Sequence, residues 1–530
     1  MPDVLLDDPI ALILLVMGVS AAVGGVKAAG IALGPAAALF VGLAVGALDD
    51  RIAGAAGLGV LRQFGLVLFT YTVGVASGPG FVAGLRRGGV FAVAVTVGLV
   101  AALAGMCMLA AELLGLSSAD RAGLFAGSTT NTPALQAAAE SVGGGDPVVA
   151  YSLAYPAAII SMLVVLTVLL GPKLHVPARF VPATETPAAE HLVNWTVVVD
   201  RPGLPSLGAI RERYPRLNFS RVEHAGVVAI ATLDQVPEPG DALVVVGPDE
   251  VVERFCGDVG HRSDRHLPLD RATFDFRRIL VSDRRLAGTR LGDLDLLGRF
   301  GVTATRLRRG DDDLLARDDM ELQLGDRLRV VGPADALADV ARAVGDSERG
   351  LSELDAVGFA IGIAAGLLLG MVAVPLFGGI EVELGAGGGP LVAGLVLGAF
   401  ARTGPVTWQM PRATNLVLRQ IGILMFLACA GLGSGATFAD ALATRAGIEL
   451  LAAGTVVAAA FATLVALVVQ MVMRQNPAAT SGTFAGIETQ PAALAYAADR
   501  TAGDERVNAA YALVFPVAMV VKIIAVQFLV

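Results

Sequence analysis

The sequence has 530 residues, of which 55% are hydrophobic and 16% charged, and its mean hydropathy is +0.68. A chain this apolar is not a soluble enzyme, and its length exceeds one domain. The net charge of −9 comes without a basic tail or an arginine–aromatic pattern, which argues against a nucleic-acid partner. Many segments approach the ~20 apolar residues that cross a lipid bilayer as a helix. The composition therefore predicts a polytopic α-helical membrane protein.

The first half of the chain, residues 1–175, is predicted to be a membrane repeat with one interrupted element at 122–140. The N-terminus, MPDVLLDD, is acidic, so the first apolar segment lacks the basic region of a cleaved signal peptide and is predicted to be retained. A hydropathy window of about 20 residues predicts five spans, which are 9–26, 31–48, 60–78, 89–114 and 148–170.

Basic residues beside these spans predict the orientation of the chain. Positive residues favour the cytoplasmic side, which puts the N-terminus outside and the chain from residue 171 onward in the cytoplasm. This requires 122–140 to enter and leave on the outer side or to be buried as a broken hairpin, because a full crossing would put the centre of the chain outside. The orientation is predicted from Lys27, Arg86, Arg87, Lys173 and Arg179.

The centre of the chain has a soluble composition and contains a tandem repeat. PGDALVVVGPDEVVERFCGDVG at 239–260 matches LGDRLRVVGPADALADVARAVG at 324–345, with a constant offset of 85 positions. Each copy predicts strands, a tight Gly-Asp turn, a further strand and a closing helix. We therefore expect two small cytoplasmic α+β domains, at 190–268 and 270–347.

The second membrane half, residues 352–530, repeats the first. LRQFGLVLFTYTVGVASGPGF at 61–81 aligns without a gap with LRQIGILMFLACAGLGSGATF at 418–438. Four such blocks in the same order indicate an internal duplication. Because each half has five predicted crossings, the second copy is expected to be inverted, which is typical of secondary transporters. The spans predicted in this half are 355–376, 386–401, 418–435, 447–473 and 507–529.

Each half also contains an apolar run that is interrupted by polar residues and proline. GLFAGSTTNTPALQAAAE at 123–140 corresponds to GTFAGIETQPAALAYAAD at 482–499. If each run is a broken re-entrant hairpin, the free N–H groups and positive end of a half-helix can face an anionic solute. The alternative is that the hydroxyls only cap the broken helices. The candidate substrate-binding residues are Ser128, Thr129, Thr130, Asn131, Thr132, Pro133, Glu488, Thr489, Gln490 and Pro491.

Charged and small residues elsewhere in the spans are further candidates. Glu488 is expected to carry a coupling proton or pair with a cation, and Lys522 to pair with an anion or with Glu488, unless Lys522 snorkels to the interface. Ser77 and Ser434, each followed by glycine, suggest local unwinding near the site or, alternatively, close helix packing.

Other polar motifs predict no catalytic or cofactor chemistry. Arg62 and Arg419 begin equivalent spans and are expected mainly to anchor them at the interface. His261 and His266 have no metal-ligand spacing to a cysteine, and the glycine-rich stretches lack the P-loop pattern. We expect no metal, no cofactor and no enzyme activity.

The motifs GLFAGSTTNTPAL and GTFAGIETQPAAL, the span GLAVGAL and the ending YALVFP resemble the aspartate:alanine exchanger family of bacterial inner-membrane transporters. In that family two membrane halves flank paired domains like TrkA-C (also called RCK-C), the C-terminal ligand-binding domain of potassium-channel regulators, and the G-D-x-L-x-V-V-G-P stretches are similar to those domains. The resemblance implies a homodimer that exchanges small amino acids or dicarboxylates. It also implies a small regulatory ligand at the central domains.

The sequence thus predicts a secondary transporter that binds a small anionic or zwitterionic solute between two hairpin tips and works by alternating access. The rival hypothesis is an ion channel or cation pathway gated by the central domains. A channel should show a carbonyl-lined filter or a ring of like side chains, whereas this chain shows a repeat with broken hairpins.

Overall fold

The computed structural model describes residues 8–28, 31–32, 34–86, 89–171, 192–265, 267, 274–309, 312–348, 355–375, 381–501 and 504–530. The predicted orientation residues Arg87, Lys173 and Arg179, and His266, lie outside these ranges. The chain forms two compact units. The first comprises Met1–Thr186, Ala356–Phe400 and Ala413–Val530, and the second comprises Pro187–Asp355 and Ala401–Arg412.

In the first half of the first unit, the described residues form seven α-helices. Asp8, Ser117 and Asp146 cap three of them by accepting hydrogen bonds from backbone N–H groups of the first turn. A two-stranded hairpin, β1 (Lys27–Ala28) and β2 (Ile31–Ala32), follows the first helix. The helices are α1 Pro9–Gly24, α2 Ala37–Gly46, α3 Leu58–Arg86, α4 Val90–Leu114, α5 Ser118–Ser128, α6 Thr132–Ser141 and α7 Pro147–Leu169.

The second half of this unit has the same succession of helices. A π-helical turn, Val469–Met473, extends its fourth helix. Strands β12 (Val374–Pro375) and β13 (Glu381–Val382) pair after its first helix. The helices are α12 Ala356–Gly370, α13 Gly385–Phe400, α14 Arg412–Leu442, α15 Arg445–Val468, α16 Pro477–Ile487, α17 Pro491–Arg500 and α18 Glu505–Gln527.

Six helices in the described part of the chain are long and apolar enough to cross a membrane, which confirms the predicted membrane class. Four further apolar helices, α1, α2, α12 and α13, are each shorter than 18 residues. They are also shorter than the ~20 residues of a full helical crossing. The long helices are α3, α4, α7, α14, α15 with its π turn, and α18.

Glycines bring helices of the two halves into backbone contact. A methyl group on Gly42 of α2 would lie 2.7 Å from the carbonyl oxygen of Ala428 on α14. A methyl group on Gly394 of α13 would lie 2.6 Å from the carbonyl oxygen of Tyr71 on α3. The repeated sequence blocks make Gly42 equivalent to Gly394 and Tyr71 equivalent to Ala428. The second apolar helix of each half therefore packs in the same way on the third helix of the other half.

The two Ser-Gly pairs also lie at close helix crossings. Ser77–Gly78 lies within the continuous helix α3, and Ser434–Gly435 within α14. A methyl group on Gly78 would lie 2.4 Å from the Leu395 carbonyl oxygen. Of the two alternatives that the sequence left open, the continuous helices favour close packing of small residues at a helix crossing over local unwinding.

The second unit begins with a five-stranded antiparallel sheet of order β5-β4-β6-β3-β7. Its core contains Val197, Leu243, Val252 and Phe255. Its elements are β3 Leu192–Val199, α8 Leu207–Arg213, β4 Asn218–His224, β5 Val227–Ile230, β6 Ala242–Pro248, α9 Asp249–Val259 and β7 Gly260–Arg262.

A four-stranded antiparallel sheet of order β10-β9-β11-β8 follows. Apart from β7, this is the strand order of the first sheet, as the tandem repeat predicts. Gly240 and Gly325 both have φ +95 in the predicted Gly-Asp turns, where glycine is strongly favoured. The elements are β8 Asp275–Leu280, α10 Leu296–Phe300, β9 Thr303–Arg309, β10 Asp312–Leu315, β11 Arg327–Gly332 and α11 Ala334–Val344.

The connection between α13 and α14 belongs to this second unit. It forms a hairpin of β14 (Arg402–Thr403) and β15 (Val406–Thr407). Ala401 is 2% exposed and packs in a small cluster with Ala287 and Leu324. The sequence analysis did not predict that a connection between two membrane helices is part of the second unit.

Candidate functional site

Two helices of the first unit are broken at equivalent positions. The first break separates α5 from α6 and the second separates α16 from α17. Thr130 has φ 52 and Thr489 has φ 58, a left-handed conformation that is a genuine outlier for a β-branched residue. We call residues 128–133 the first tip and residues 487–491 the second tip. Such strained residues persist only where the surrounding structure holds them, which is common at ligand sites.

Amide side chains begin the helices that leave the tips. Asn131 Oδ1 accepts a hydrogen bond from the Ala134 N–H at 2.8 Å, and Gln490 Oε1 accepts one from the Ala492 N–H at 3.1 Å. Pro133 lies in the first turn of α6, and Pro491 begins α17, positions where proline costs no backbone hydrogen bond. These two amides therefore cap the helices, a role that the sequence analysis considered only for the hydroxyls.

The two tips are bonded to each other. Gln490 Nε2 donates to Thr130 Oγ1 at 2.9 Å, and Asn131 Nδ2 donates to Thr489 Oγ1 at 3.3 Å. At an offset of 359 positions, Thr130 corresponds to Thr489 and Asn131 to Gln490. In each bond the amide of one tip therefore donates to the threonine of the other tip. Each of the four residues is at most 7% exposed. The predicted tip residues from the two halves thus form one buried polar cluster.

Helices α7 and α18 complete the surroundings of the cluster. The Asn131 amide lies 3.2 Å from Met519 Sδ on α18. The Thr132 hydroxyl lies 3.4 Å from the Tyr151 hydroxyl on α7. The sequence analysis did not select Met519 or Tyr151. Tyr151 lies in the block AYSLAYPAA at 150–158, and Met519 directly follows the matching block AYALVFPVA at 510–518, so this repeat could have identified both.

Lys522 of α18 points into the second tip. Its side chain is fully buried, and Nζ donates to the Ile487 carbonyl oxygen at 2.7 Å and to Thr489 Oγ1 at 3.2 Å. Ile487 is the last residue of α16, so the ammonium group satisfies a carbonyl at the negative end of a helix. The snorkelling alternative is therefore wrong.

Several polar atoms of this cluster are buried without a hydrogen-bond partner in the described part of the chain. Both carboxylate oxygens of Glu488 are in this state, as are the hydroxyls of Ser128 and Thr129 in the first tip and of Ser152 on α7. Buried polar groups are normally paired because losing water costs free energy. The cluster therefore has unused capacity to bind polar groups of a ligand.

The remaining candidates have other contacts. Ser434 Oγ donates to Asp146 Oδ2 at 2.6 Å, beside the start of α7, and Ser77 is half-buried on α3. The Arg419 guanidinium lies 6.0 Å from the centre of the Phe69 ring. In the described ranges no group of three or more histidine, cysteine or acidic residues is placed to hold a metal ion.

The second unit has a cavity of its own, of about 180 Å³, in the repeat that contains β8 to β11. Leu294, Leu296 and Phe300 supply apolar walls, and Asp283 and Arg285 lie at it. The Asp283 carboxylate pairs with the Arg285 guanidinium at 2.6 Å. The hydrogen bond from Arg285 lowers the pKa of Asp283, so this carboxylate is ionised at neutral pH.

Comparison with known proteins agrees with this division of the chain. Residues 12–171 and 358–530 match a family described as a predicted permease membrane region, and residues 276–345 match the TrkA-C domain. An uncharacterized transporter of Geobacter sulfurreducens is 40% identical, with 100% of this chain and 99% of the relative covered. Another, from Cutibacterium acnes, is 39% identical with the same coverage. No solved structure matches the chain.

Proposed function

The chain belongs to the aspartate:alanine exchanger family of membrane permeases, and from that premise we propose that it exchanges small amino acids or dicarboxylates across the bacterial inner membrane. Its full-length relatives are named transporters, which supports a transporter without naming the solute or the exchange mode. The protein acts without ATP, because an exchanger needs only that the empty carrier reorients slowly.

The observation that carries this proposal is the pair of mutually bonded tips with unpaired polar atoms. A solute that enters between the tips replaces the bonds between Gln490 and Thr130 and between Asn131 and Thr489 with bonds to itself. Lys522 and the N-terminal ends of α6 and α17 supply positive charge or positive dipole ends. The solute is therefore small and anionic or zwitterionic. The binding residues are Ser128, Thr129, Thr130, Asn131, Thr132, Pro133, Glu488, Thr489, Gln490 and Pro491.

The transport cycle proposed is alternating access between inverted repeats. The reciprocal contacts of Gly42 with Ala428 and of Gly394 with Tyr71 support a pseudo-two-fold relation between the halves. The broken helices move as re-entrant hairpins against the remaining helices, and each tip opens to a different side of the membrane. In this arrangement the N-terminus is outside and the central domains are cytoplasmic.

The central domains are proposed to regulate transport and to contribute to a homodimer. The match to TrkA-C supports a small regulatory ligand there. The hairpin of β14 and β15 belongs to the same compact unit as these domains and leads directly into α13 and α14. A change in the central unit can therefore act on two membrane helices through a covalent connection of about twelve residues, Ala401–Arg412.

Counterflow in proteoliposomes tests the proposed activity. Liposomes loaded with aspartate, alanine, glutamate or succinate are assayed for uptake of a labelled solute, with and without an ion gradient. An exchanger requires an internal counter-solute for rapid uptake. Rapid ion flux without uptake of any of the four solutes would instead support the channel hypothesis.

Variants of the tip amides test the position of the site. Asn131→Ala and Gln490→Ala should abolish counterflow while the protein still inserts and folds. Asn476→Ala is the matched control, because Asn476 also caps a helix, accepting from Ala479 N at 2.8 Å, but lies at the other end of α16. Unchanged counterflow in both tip variants would remove the tips from the solute site.

A further inference from the structure

The second tip contains a buried pair of opposite charges that the first tip lacks. Glu488 corresponds to Thr129 at the offset of 359 that relates the tips, and Lys522 corresponds to Met162 at the offset of 360 that relates α18 to α7. The backbone and the reciprocal amide bonds are alike in the two tips, so the charge pair is the main chemical difference between them. The function of the pair is therefore specific to the second tip.

The carboxylate and the ammonium group are adjacent but are not bonded to each other. Lys522 Nζ donates to the residues on either side of Glu488, namely Ile487 and Thr489. The Glu488 oxygens are buried without a hydrogen-bond partner among the described residues. Lys522 thus compensates the charge of Glu488 through space, while Glu488 has no donor that would hold it in the ionised form.

The Lys522 ammonium group is hydrogen-bonded to both chain neighbours of Glu488, and the helices that pack on α16 carry further titratable groups. Those helices are α7, α15, α17 and α18. The described charged residues of these helices other than Lys522 lie within two turns of a helix end. Besides Lys522, the groups whose side chains the structure describes are Tyr151 and Tyr155 on α7, Arg445 and Glu449 on α15, Tyr496 and Arg500 on α17, and Arg506 and Tyr511 on α18.

We propose that Glu488 takes up a proton whenever the carboxylate of a solute engages Lys522, so that solute and proton are bound together. This inference rests on the proposed solute site at the tips. One ammonium group cannot compensate two buried carboxylates, and when two carboxylates share a site one of them is protonated. In the empty site Glu488⁻ balances Lys522⁺. In the loaded site the solute carboxylate balances Lys522⁺ and Glu488 is neutral.

Protonation of Glu488 keeps the site electrically neutral when the solute carboxylate binds. One proton from water joins one Glu488 oxygen, no covalent bond of the solute changes, and the net charge of the pair with its bound carboxylate remains zero. The proton leaves when the solute leaves, because Lys522 is then available again to compensate Glu488. Each solute carboxylate held at Lys522 therefore moves with one proton.

Calorimetry of the purified full-length protein measures this proton directly. L-aspartate and succinate are titrated in buffers with different ionisation enthalpies, and the dependence of the observed heat on the buffer gives the protons taken up. We expect about one proton per bound solute in the wild type and none per solute that Glu488→Gln binds. Glu140→Gln is the matched control, since Glu140 is an exposed carboxylate of α6 outside the tip, and it should behave as the wild type.

Binding without proton uptake by the wild type would overturn the inference and leave the proposed solute site intact. Equal proton uptake by Glu488→Gln would also overturn it, because the proton would then reside elsewhere. Absence of binding of either solute would count against the proposed solute class instead.

A measurement without solute tests the pair itself. Unfolding temperatures are compared for the wild type, Glu488→Gln, Lys522→Met and the double variant. Each single variant leaves one buried charge uncompensated, whereas the double variant removes both charges. We expect the double variant to be less destabilised than the sum of the two single variants. Additive shifts would show that the charges do not compensate each other, which would overturn the inference.

Discussion

The side-chain amide of Gln490 donates a hydrogen bond to the hydroxyl of Thr130, 2.9 Å away, and so joins the second tip to the first. Both atoms are buried, and Thr130 has a left-handed backbone. The bond therefore connects two breaks in helices that are far apart in the chain. Since each break exposes helix ends that need partners, the two halves of the protein satisfy part of each other's polar groups at one place.

This bond predicts energetic coupling between the tips. Thr130→Ala and Gln490→Ala should each lower stability, because each leaves the other buried group without its partner. Their effects should be non-additive by about 0.5–1.5 kcal/mol, the usual net value of a neutral hydrogen bond. Thermal unfolding of the two single variants and the double variant measures the coupling. Simple additivity would show that the bond does not contribute to stability.

The sequence was sufficient to predict where the helices break, because Asn131 with Pro133 and Gln490 with Pro491 interrupt apolar runs at equivalent positions. It also predicted the two similar sheets from the Gly-Asp turns at Gly240 and Gly325. These features depend on local conformational preferences and on internal repetition. Both are visible in a single chain.

Other features depend on tertiary packing and were not predictable in the same way. A lysine near the end of a membrane helix can reach water or turn inward, and the hydrogen-bond acceptors of the second tip, the Ile487 carbonyl and the Thr489 hydroxyl, account for the inward direction of Lys522. Glycine beside Ser77 or Ser434 weakens a helix in isolation, whereas contact with a neighbouring backbone keeps it helical. The membership of Ala401–Arg412 in the second unit likewise follows from its partners.

Replacing glycine by alanine should have different effects on stability at a helix crossing and on an open helix face. Gly42→Ala places a methyl group 2.7 Å from a backbone oxygen of α14, which forces the helices apart and should cost about 1–3 kcal/mol. Gly98→Ala is the control. Gly98 lies in α4 and has nothing within 4 Å of the new methyl group, and alanine favours helix by about 1 kcal/mol over glycine. Unfolding temperatures should therefore fall for Gly42→Ala and stay level or rise for Gly98→Ala.

In the second unit, the stabilising contribution of one histidine should depend on pH. His224 Nδ1 lies 2.6 Å from Asp241 Oδ1, and this hydrogen bond raises the pKa of His224 above its ordinary value of 6.5. A raised pKa in the folded state means that the contribution to stability is complete below about pH 6.5 and is lost as pH rises through the folded-state value. Carbon-13 NMR of labelled histidines in the full-length protein measures this pKa.

The tandem repeat supplies the control for that measurement. Arg309 pairs with Asp326 in the second sheet, at the positions 85 residues after His224 and Asp241. His224→Arg should therefore keep the contact and remove its dependence on pH, because arginine remains charged. Asp241→Asn should return the pKa of His224 toward its ordinary value. An unchanged pKa in Asp241→Asn would show that another group causes the shift.

Lys522→Met tests whether the buried ammonium group selects the charge of the solute. Methionine stands at the equivalent position of the first half, Met162, which is 1% exposed, so the side chain is compatible with this kind of packing. Loss of a buried partner charge in a binding site costs about 2–5 kcal/mol, so counterflow of succinate should weaken by at least about tenfold. Met162→Leu, a change of similar volume, should leave counterflow unaltered. Equal succinate counterflow in Lys522→Met and the wild type would show that the solute carboxylate binds to the helix ends and tip amides without the lysine.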